Sequence, residues 1–170
     1  MRISYCVLGL LFLSTLLVGC SEETVQINGG EPVPAFSLQK LDGGTAQFPN
    51  DYKNKVVAIR FWADWCPFCE SEMRQLEPVY QKYKDQGVEI LAINVRQDQA
   101  TAKAFVEPLN ISYPTLLDLE GEVARQYGVM GLPTTFFVDG KGVLKTRILG
   151  ESTPEAFEDV IQSLLKASGN

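Results

Sequence analysis

Two nearly unbroken apolar runs, Val56 to Ala63 and Val88 to Val95, are the clearest pattern in the chain. Runs of that length without alternation predict strands covered on both faces, as in a parallel sheet. Between them Cys69, Met73, Leu76, Tyr80 and Tyr83 recur at helical spacing. That stripe predicts a helix over Glu70 to Gln86 starting near Pro67, a residue suited to the first helical position. Upstream, Ala35 to Leu41 alternates apolar with polar, Asp42-Gly43-Gly44 supplies a turn, and Thr45 to Phe48 returns as the second strand of a hairpin. Downstream, Ala100 to Val106 reads as a helix, Tyr113 to Asp118 as a short strand, and Glu122 to Tyr127 as a short helix closed by Gly128. Thr135 to Val138 and Val143 to Leu149 flank the turn Asp139-Gly140-Lys141-Gly142 and form a second hairpin. In the last helix Phe157, Val160, Ile161, Leu164 and Leu165 share one face, with Ser152 or Thr153 to cap it and Pro154 and Glu155 in its first turn. Strands alternating with helices, then a hairpin and a terminal helix, imply a layered α/β domain with a mixed sheet.

At 170 residues the chain holds one domain with a core of ordinary size, and its 45% hydrophobic content is that of a soluble globular protein. The net charge is −6, and removing the first nineteen residues takes away only Arg2. With no basic patch, nucleic acid is not an expected partner. Histidine is absent, which excludes Cys-His and Ser-His catalysis and His-ligated metal.

The first nineteen residues read as an export signal: Arg2, an apolar region from Cys6 to Val18, then Leu17-Val18-Gly19 before Cys20. Leu-Val-Gly-Cys resembles the bacterial lipobox, in which the cysteine is lipidated and becomes the first mature residue. Lipid on Cys20 would hold the domain at a membrane surface without spanning it. Ser21 to Pro34 is polar and reads as a tether, reaching at most about 45–50 Å. The expected organisation is a signal over 1–19, a lipidated tether over 20–34 and a folded domain over 35–170.

Cys6 leaves with the signal and Cys20 carries lipid, so Cys66 and Cys69 are left in the folded domain. They stand in Trp65-Cys66-Pro67-Phe68-Cys69, where a buried strand gives way to a helix. The unpaired N–H groups and partial positive charge of a helix N-terminus favour the thiolate, which is the nucleophilic form. As a structural staple the pair would close only a tiny loop and gain little. As half of a zinc site it lacks two further ligands.

Phe61-Trp62-Ala63-Asp64-Trp65-Cys66-Pro67-Phe68-Cys69 resembles the thioredoxin-fold active site, and Gly131-Leu132-Pro133-Thr134-Thr135 resembles that fold's cis-proline loop. With the N-terminal hairpin and the lipoprotein signal, the chain resembles membrane-anchored thiol-disulfide oxidoreductases of the TlpA/ResA type over roughly Pro34 to Ala167. The resemblance implies a thioredoxin-like α/β fold, with a mixed central sheet, helices on both faces and an N-terminal β-hairpin. It implies a redox-active Cys66–Cys69 disulfide and no other cofactor. Cys66, the more exposed sulfur, attacks a substrate disulfide and Cys69 resolves the mixed disulfide. Leu132-Pro133 holds a cis peptide whose loop offers strand-like hydrogen bonds to the substrate. Trp65 shields the sulfurs and joins the docking surface, Pro67 and Phe68 tune the redox poise, and Trp62 is core. Glu72 resembles an acidic residue that influences the cysteines' acidity, while Glu70 and Glu77 read as solvated.

Arg60 departs from the pattern. Thioredoxins carry a buried aspartate six positions before the first cysteine, and TlpA/ResA-type proteins often carry asparagine. A buried cation needs an acid or water, so Arg60 is expected to pair with a nearby carboxylate, Glu72 being one candidate, and to favour thiolate on Cys69. The resemblance favours the reducing direction, with electrons from a membrane donor of the CcdA/DsbD kind passed to an exported protein disulfide, apocytochrome c being one example. The protein is expected to act as a monomer facing the periplasm or extracytoplasmic space. A disulfide oxidase or isomerase on the same fold, and a copper metallochaperone lipoprotein, are the competing readings. Sco-type copper proteins use a wider cysteine spacing and a histidine, which this chain lacks.

Overall fold

The two apolar runs lie side by side at the centre of one mixed sheet. The computed structural model describes residues 26–169. In chain order the elements are β1 Phe36–Lys40, β2 Thr45–Phe48, β3 Val56–Trp62, α1 Cys69–Tyr83, β4 Val88–Val95, α2 Gln99–Val106, β5 Thr115–Asp118, α3 Glu122–Gln126, β6 Thr134–Val138, β7 Leu144–Leu149 and α4 Pro154–Ala167. The strand order is β2-β1-β5-β4-β3-β6-β7. β3 runs parallel to β4 and antiparallel to β6, and the hairpin β1–β2 joins the sheet through β5. This is the thioredoxin-like arrangement, with its N-terminal hairpin as an added edge.

Every residue of β3 is buried, as a strand without alternation requires. Val56, Ala58 and Trp62 pack with Cys69, Met73 and Leu76 of α1 and with Phe157 and Ile161 of α4. Val57, Ile59 and Phe61 face the other way, toward Phe36, Phe48, Val123 and Tyr127. Helices therefore cover both faces, α1, α2 and α4 on one and α3 on the other. The expected apolar stripe of α1 is buried from Cys69 through Tyr83. Thr153, rather than Ser152, caps α4 by accepting the Ala156 N–H at 3.2 Å, and Gly128 closes α3 with a φ of 65°.

Two expectations change, and one cis peptide was not foreseen. α1 begins at Cys69, not near Pro67, because Ala63 to Phe68 form a tight turn first. The peptide Phe48-Pro49 is cis as well as Leu132-Pro133. Residues 27–34, expected to belong to a tether, pack on the domain: Ile27 and Val33 are buried. Gly30 N–H donates to the Leu144 carbonyl at 2.8 Å, Leu144 N–H to the Glu31 carbonyl at 2.8 Å, and Val33 N–H to the Gly142 carbonyl at 3.0 Å. These backbone bonds add the segment beside the start of β7, and they hold it with few apolar side chains. The signal (1–19), Cys6 and Cys20 lie outside the described residues. Among the described residues no helix is long and apolar enough to cross a membrane.

The β6–β7 turn is held by Asp139, which accepts the Lys141 N–H at 2.9 Å and the Val143 N–H at 3.1 Å and pairs with Lys145 at 3.1 Å. Burial opposes its ionisation, but the two N–H groups and the ammonium outweigh that and hold its carboxyl below the usual value. A depressed folded-state value adds stability above the ordinary carboxylate range, and that stability is lost as pH falls through the depressed value. Asp139→Asn is therefore expected to cost up to about 1 kcal/mol at pH 7, and urea titration should find the difference shrinking as the pH falls below the ordinary carboxylate range. Phe157, buried edge-on against Phe137 with ring centroids 4.8 Å apart, should cost about 3–5 kcal/mol in the same titration when replaced by alanine.

Candidate active site

β3 ends at Trp62, and the chain turns before α1 with Cys66 N–H donating to the Ala63 carbonyl and Cys69 N–H to the Cys66 carbonyl, both at 3.2 Å. The turn brings the two sulfurs together. Cys66 and Cys69 are joined as a disulfide with Cα atoms 5.4 Å apart, at the N-terminus of α1. No side chain caps that helix, so its partial positive charge is left for the sulfurs. Cys66 was expected to be the more exposed of the two. In this oxidised pair both are buried, Cys66 being 2% exposed and Cys69 fully enclosed.

The β3–β6 register pairs Arg60 with Thr135 and Phe61 with Thr134. One step further along, it sets the cis Leu132-Pro133 peptide beside Trp62, Ala63 and the turn that carries Cys66. Pro133 accepts the Gly150 N–H at 2.8 Å, and Gly131 accepts the Thr134 hydroxyl at 2.7 Å. Among the described residues neither backbone group of Leu132 has a partner.

Trp65 and Phe68 are exposed, and Trp62 is enclosed and stacked on Phe105 at 4.8 Å. Two further residues were not foreseen. Met130, 86% exposed, precedes the cis-proline loop, and exposed Leu149 pairs with Thr134 just after it. Four of the five large hydrophobic side chains exposed among the described residues thus lie on the disulfide turn, beside the cis-proline loop or on the strand end paired with it. A lone Met and a strand-end Leu carry no sequence signal for this, because the topology alone brings them here. Gln97 was also missed: its carbonyl accepts the Asp64 N–H at 2.9 Å and the Asn94 amide at 2.8 Å, and its amide donates to the Asp64 carboxylate. It pins the residue before Trp65 from 33 positions away.

Behind the disulfide lies a buried ion pair. Arg60 is 1% and Glu72 2% exposed. Arg60 Nη2 donates to Glu72 Oε2 at 2.6 Å, and Nη1 donates to Glu72 Oε1 at 3.2 Å and to the Thr135 hydroxyl at 3.1 Å. Glu72 Oε1 also accepts the Ser152 N–H at 3.0 Å and its hydroxyl at 3.1 Å. The expected pairing of Arg60 with Glu72 is present, and Thr135 and Ser152 are partners that sequence spacing did not reveal. Among the described residues Arg60 Nε has no partner. Nearby Tyr113 donates its hydroxyl to the Met73 carbonyl at 2.8 Å, and burial pushes its phenol well above the usual range, so it stays neutral. Of the two glutamates expected to be solvated, Glu70 is exposed and paired with Arg74, whereas Glu77 accepts the Ser112 N–H at 2.8 Å and clamps that loop.

The family described as AhpC/TSA matches residues 29–147. A thiol-disulfide oxidoreductase ResA of Bacillus cereus is 34% identical over 168 residues, covering 96% of each chain. A thiol-disulfide oxidoreductase ResA of Geobacillus thermodenitrificans is 35% identical over 150 residues, covering 88% of this chain and 86% of the relative. Among solved structures, a thiol:disulfide interchange protein of the thioredoxin family from Chlorobium tepidum has a TM-score of 0.73 at 26% identity, covering 81% of this chain and 98% of its own. StoA from Bacillus subtilis has a TM-score of 0.65 at 26% identity, covering 76% and 97%.

A buried pair is worth little against an apolar replacement, but breaking it strands one charge. Glu72→Ala should therefore lower the unfolding free energy by about 3–5 kcal/mol in urea, while replacing Arg60 and Glu72 together by methionine should be close to neutral.

Proposed function

The chain belongs to the AhpC/TSA family and is a thiol-disulfide oxidoreductase of the ResA type on the thioredoxin fold, and on that footing we propose that it reduces disulfides of exported proteins while held to a membrane by lipid on Cys20. The observation that carries the reading is the Cys66–Cys69 disulfide at the head of α1, beside the cis Leu132-Pro133 peptide.

In the reducing direction the Cys66 thiolate, favoured by the helix N-terminus, attacks one sulfur of the substrate disulfide. The Cys66–substrate bond forms as the substrate bond breaks, and the departing substrate sulfur takes a proton from water. Cys69 then gives up its proton, its sulfur attacks Cys66 Sγ, and the second substrate sulfur leaves and is protonated. Two electrons pass from the dithiol to the substrate, and the pair ends as the disulfide. A dithiol donor in the membrane, of the CcdA/DsbD kind, resets it by the same two exchanges.

The surroundings support a polypeptide substrate. Trp65, Phe68, Met130 and Leu149 offer apolar area. The two free backbone groups of Leu132 suit strand-like pairing with an extended segment. Apocytochrome c before haem attachment has the required exported disulfide. The reducing direction, the extracytoplasmic setting and action as a monomer rest on the resemblance to the TlpA/ResA type.

Cys69→Ser should leave Cys66 joined to its partners as mixed disulfides in cells, and Cys66→Ser should trap none. A reduction potential near about −270 mV is expected of the reductase, and one near about −120 mV would reverse the direction. Failure of the wild-type dithiol to reduce insulin would overturn the activity itself.

A further inference from the structure

The chemistry above leaves the buried Arg60 without a task, although it lies one side chain from everything that frames the disulfide. We propose that Arg60 is a positioning residue for the redox pair: it ties the three segments around the disulfide together and cancels the charge of Glu72 beneath Cys69. This rests on the oxidoreductase reading and adds a residue to it.

The tie is geometric. Glu72 stands one turn after Cys69 on α1, where residues three apart have Cβ atoms about 5–6 Å from each other. Thr135, the second acceptor of Arg60 Nη1 at 3.1 Å, comes two residues after the cis peptide. Ser152 lies between β7 and α4 and reaches the same Glu72 oxygen through its N–H at 3.0 Å and its hydroxyl at 3.1 Å. Two residues before it, Gly150 N–H donates to the Pro133 carbonyl at 2.8 Å. Arg60 is thus bonded to the disulfide helix and to the strand that follows the cis-proline, and through Glu72 to the loop that backs it.

The charges decide what the cysteines feel. Arg60 Nη1, Arg60 Nη2, the Ser152 N–H and the Ser152 hydroxyl converge on the Glu72 carboxylate, about as many donors as its lone pairs receive. Three of these four donors fall on Oε1 and one on Oε2, so the carboxylate is clamped between the guanidinium and Ser152. Arg60 in turn does not act on Cys69 as a free cation, because both its terminal nitrogens are committed to Glu72. Either half alone would count: an anion one turn below Cys69 disfavours a thiolate there, and a cation favours it.

The test is the equilibrium of the domain with reduced and oxidised glutathione. Arg60→Met, which leaves Glu72 uncompensated, should shift it about tenfold toward the disulfide. Glu72→Gln, which leaves Arg60 uncompensated, should shift it about tenfold toward the dithiol. Arg60→Met with Glu72→Met should fold and return to within about threefold of the wild type. Opposite displacements are the signature, because loosening of the fold would move both single variants the same way. Displacements in one direction, or none, overturn the role of Arg60. Should Arg60→Met fail to fold, an unmoved Glu72→Gln overturns it equally. Wild-type protein that exchanges with neither glutathione nor insulin would instead overturn the oxidoreductase reading, and the two failures are thereby separate.

Discussion

β3 is covered on both faces and hydrogen-bonded along both edges, and the functional groups take their places from it. Its carboxyl end delivers the turn that closes Cys66 onto Cys69. Its register with β6 sets the cis Leu132-Pro133 peptide beside that turn. Its alternation sends Arg60 to the same face as Ala58 and Trp62, toward α1, where Glu72 waits. A one-residue slip would turn Arg60 toward the opposite core, away from Glu72. The cost of burying a cation thereby makes the register of the central strand and the assembly of the site one constraint.

What the sequence disclosed and what it hid divide along a physical line. Cys66, Cys69 and Pro133 were legible because their chemistry is carried by contiguous motifs. The Arg60–Glu72 pair was legible in a different way, since a charge inside an apolar run demands a countercharge and a glutamate one turn beyond Cys69 lies within reach. Thr135 and Ser152, which complete that network, were not legible, nor were Gln97, Met130 and Leu149, because topology alone brings them to the site. Glu77 looked solvated for the same reason, its partner Ser112 being 35 residues away. The N-terminal segment was misjudged because composition reports side chains, and backbone hydrogen bonds do most of the holding there.

The site combines guarded sulfurs with an open approach. Both cysteines are enclosed in the oxidised state, so small oxidants and stray thiols meet little sulfur surface, whereas the rim of Trp65, Phe68, Met130 and Leu149 is available to a chain able to lie across it. On the proposed reading, selectivity would come from what a partner can lay along the rim and against Leu132. The rim would then handle recognition, while the Arg60–Glu72 pair set within the apolar packing behind the sulfurs would hold the disulfide in place.

The docking of Ile27 to Pro34 beside the start of β7 has a consequence for orientation. With Cys20 as the lipid anchor, six residues separate it from Ile27, a leash of at most about 20 Å, less than half the reach expected of a tether running to Pro34. The described segment docks by the β6–β7 turn, whereas Leu149 and the cis-proline lie at the other end of β7, about 17 Å along the strand. The domain would therefore stand on its hairpin turn with the disulfide at its crown, turned toward chains arriving from outside. Were the proposed donor to lie in the bilayer, that crown would have to come down beside the membrane, and loading and delivery would be two postures of one molecule pivoting where Ile27 to Pro34 dock.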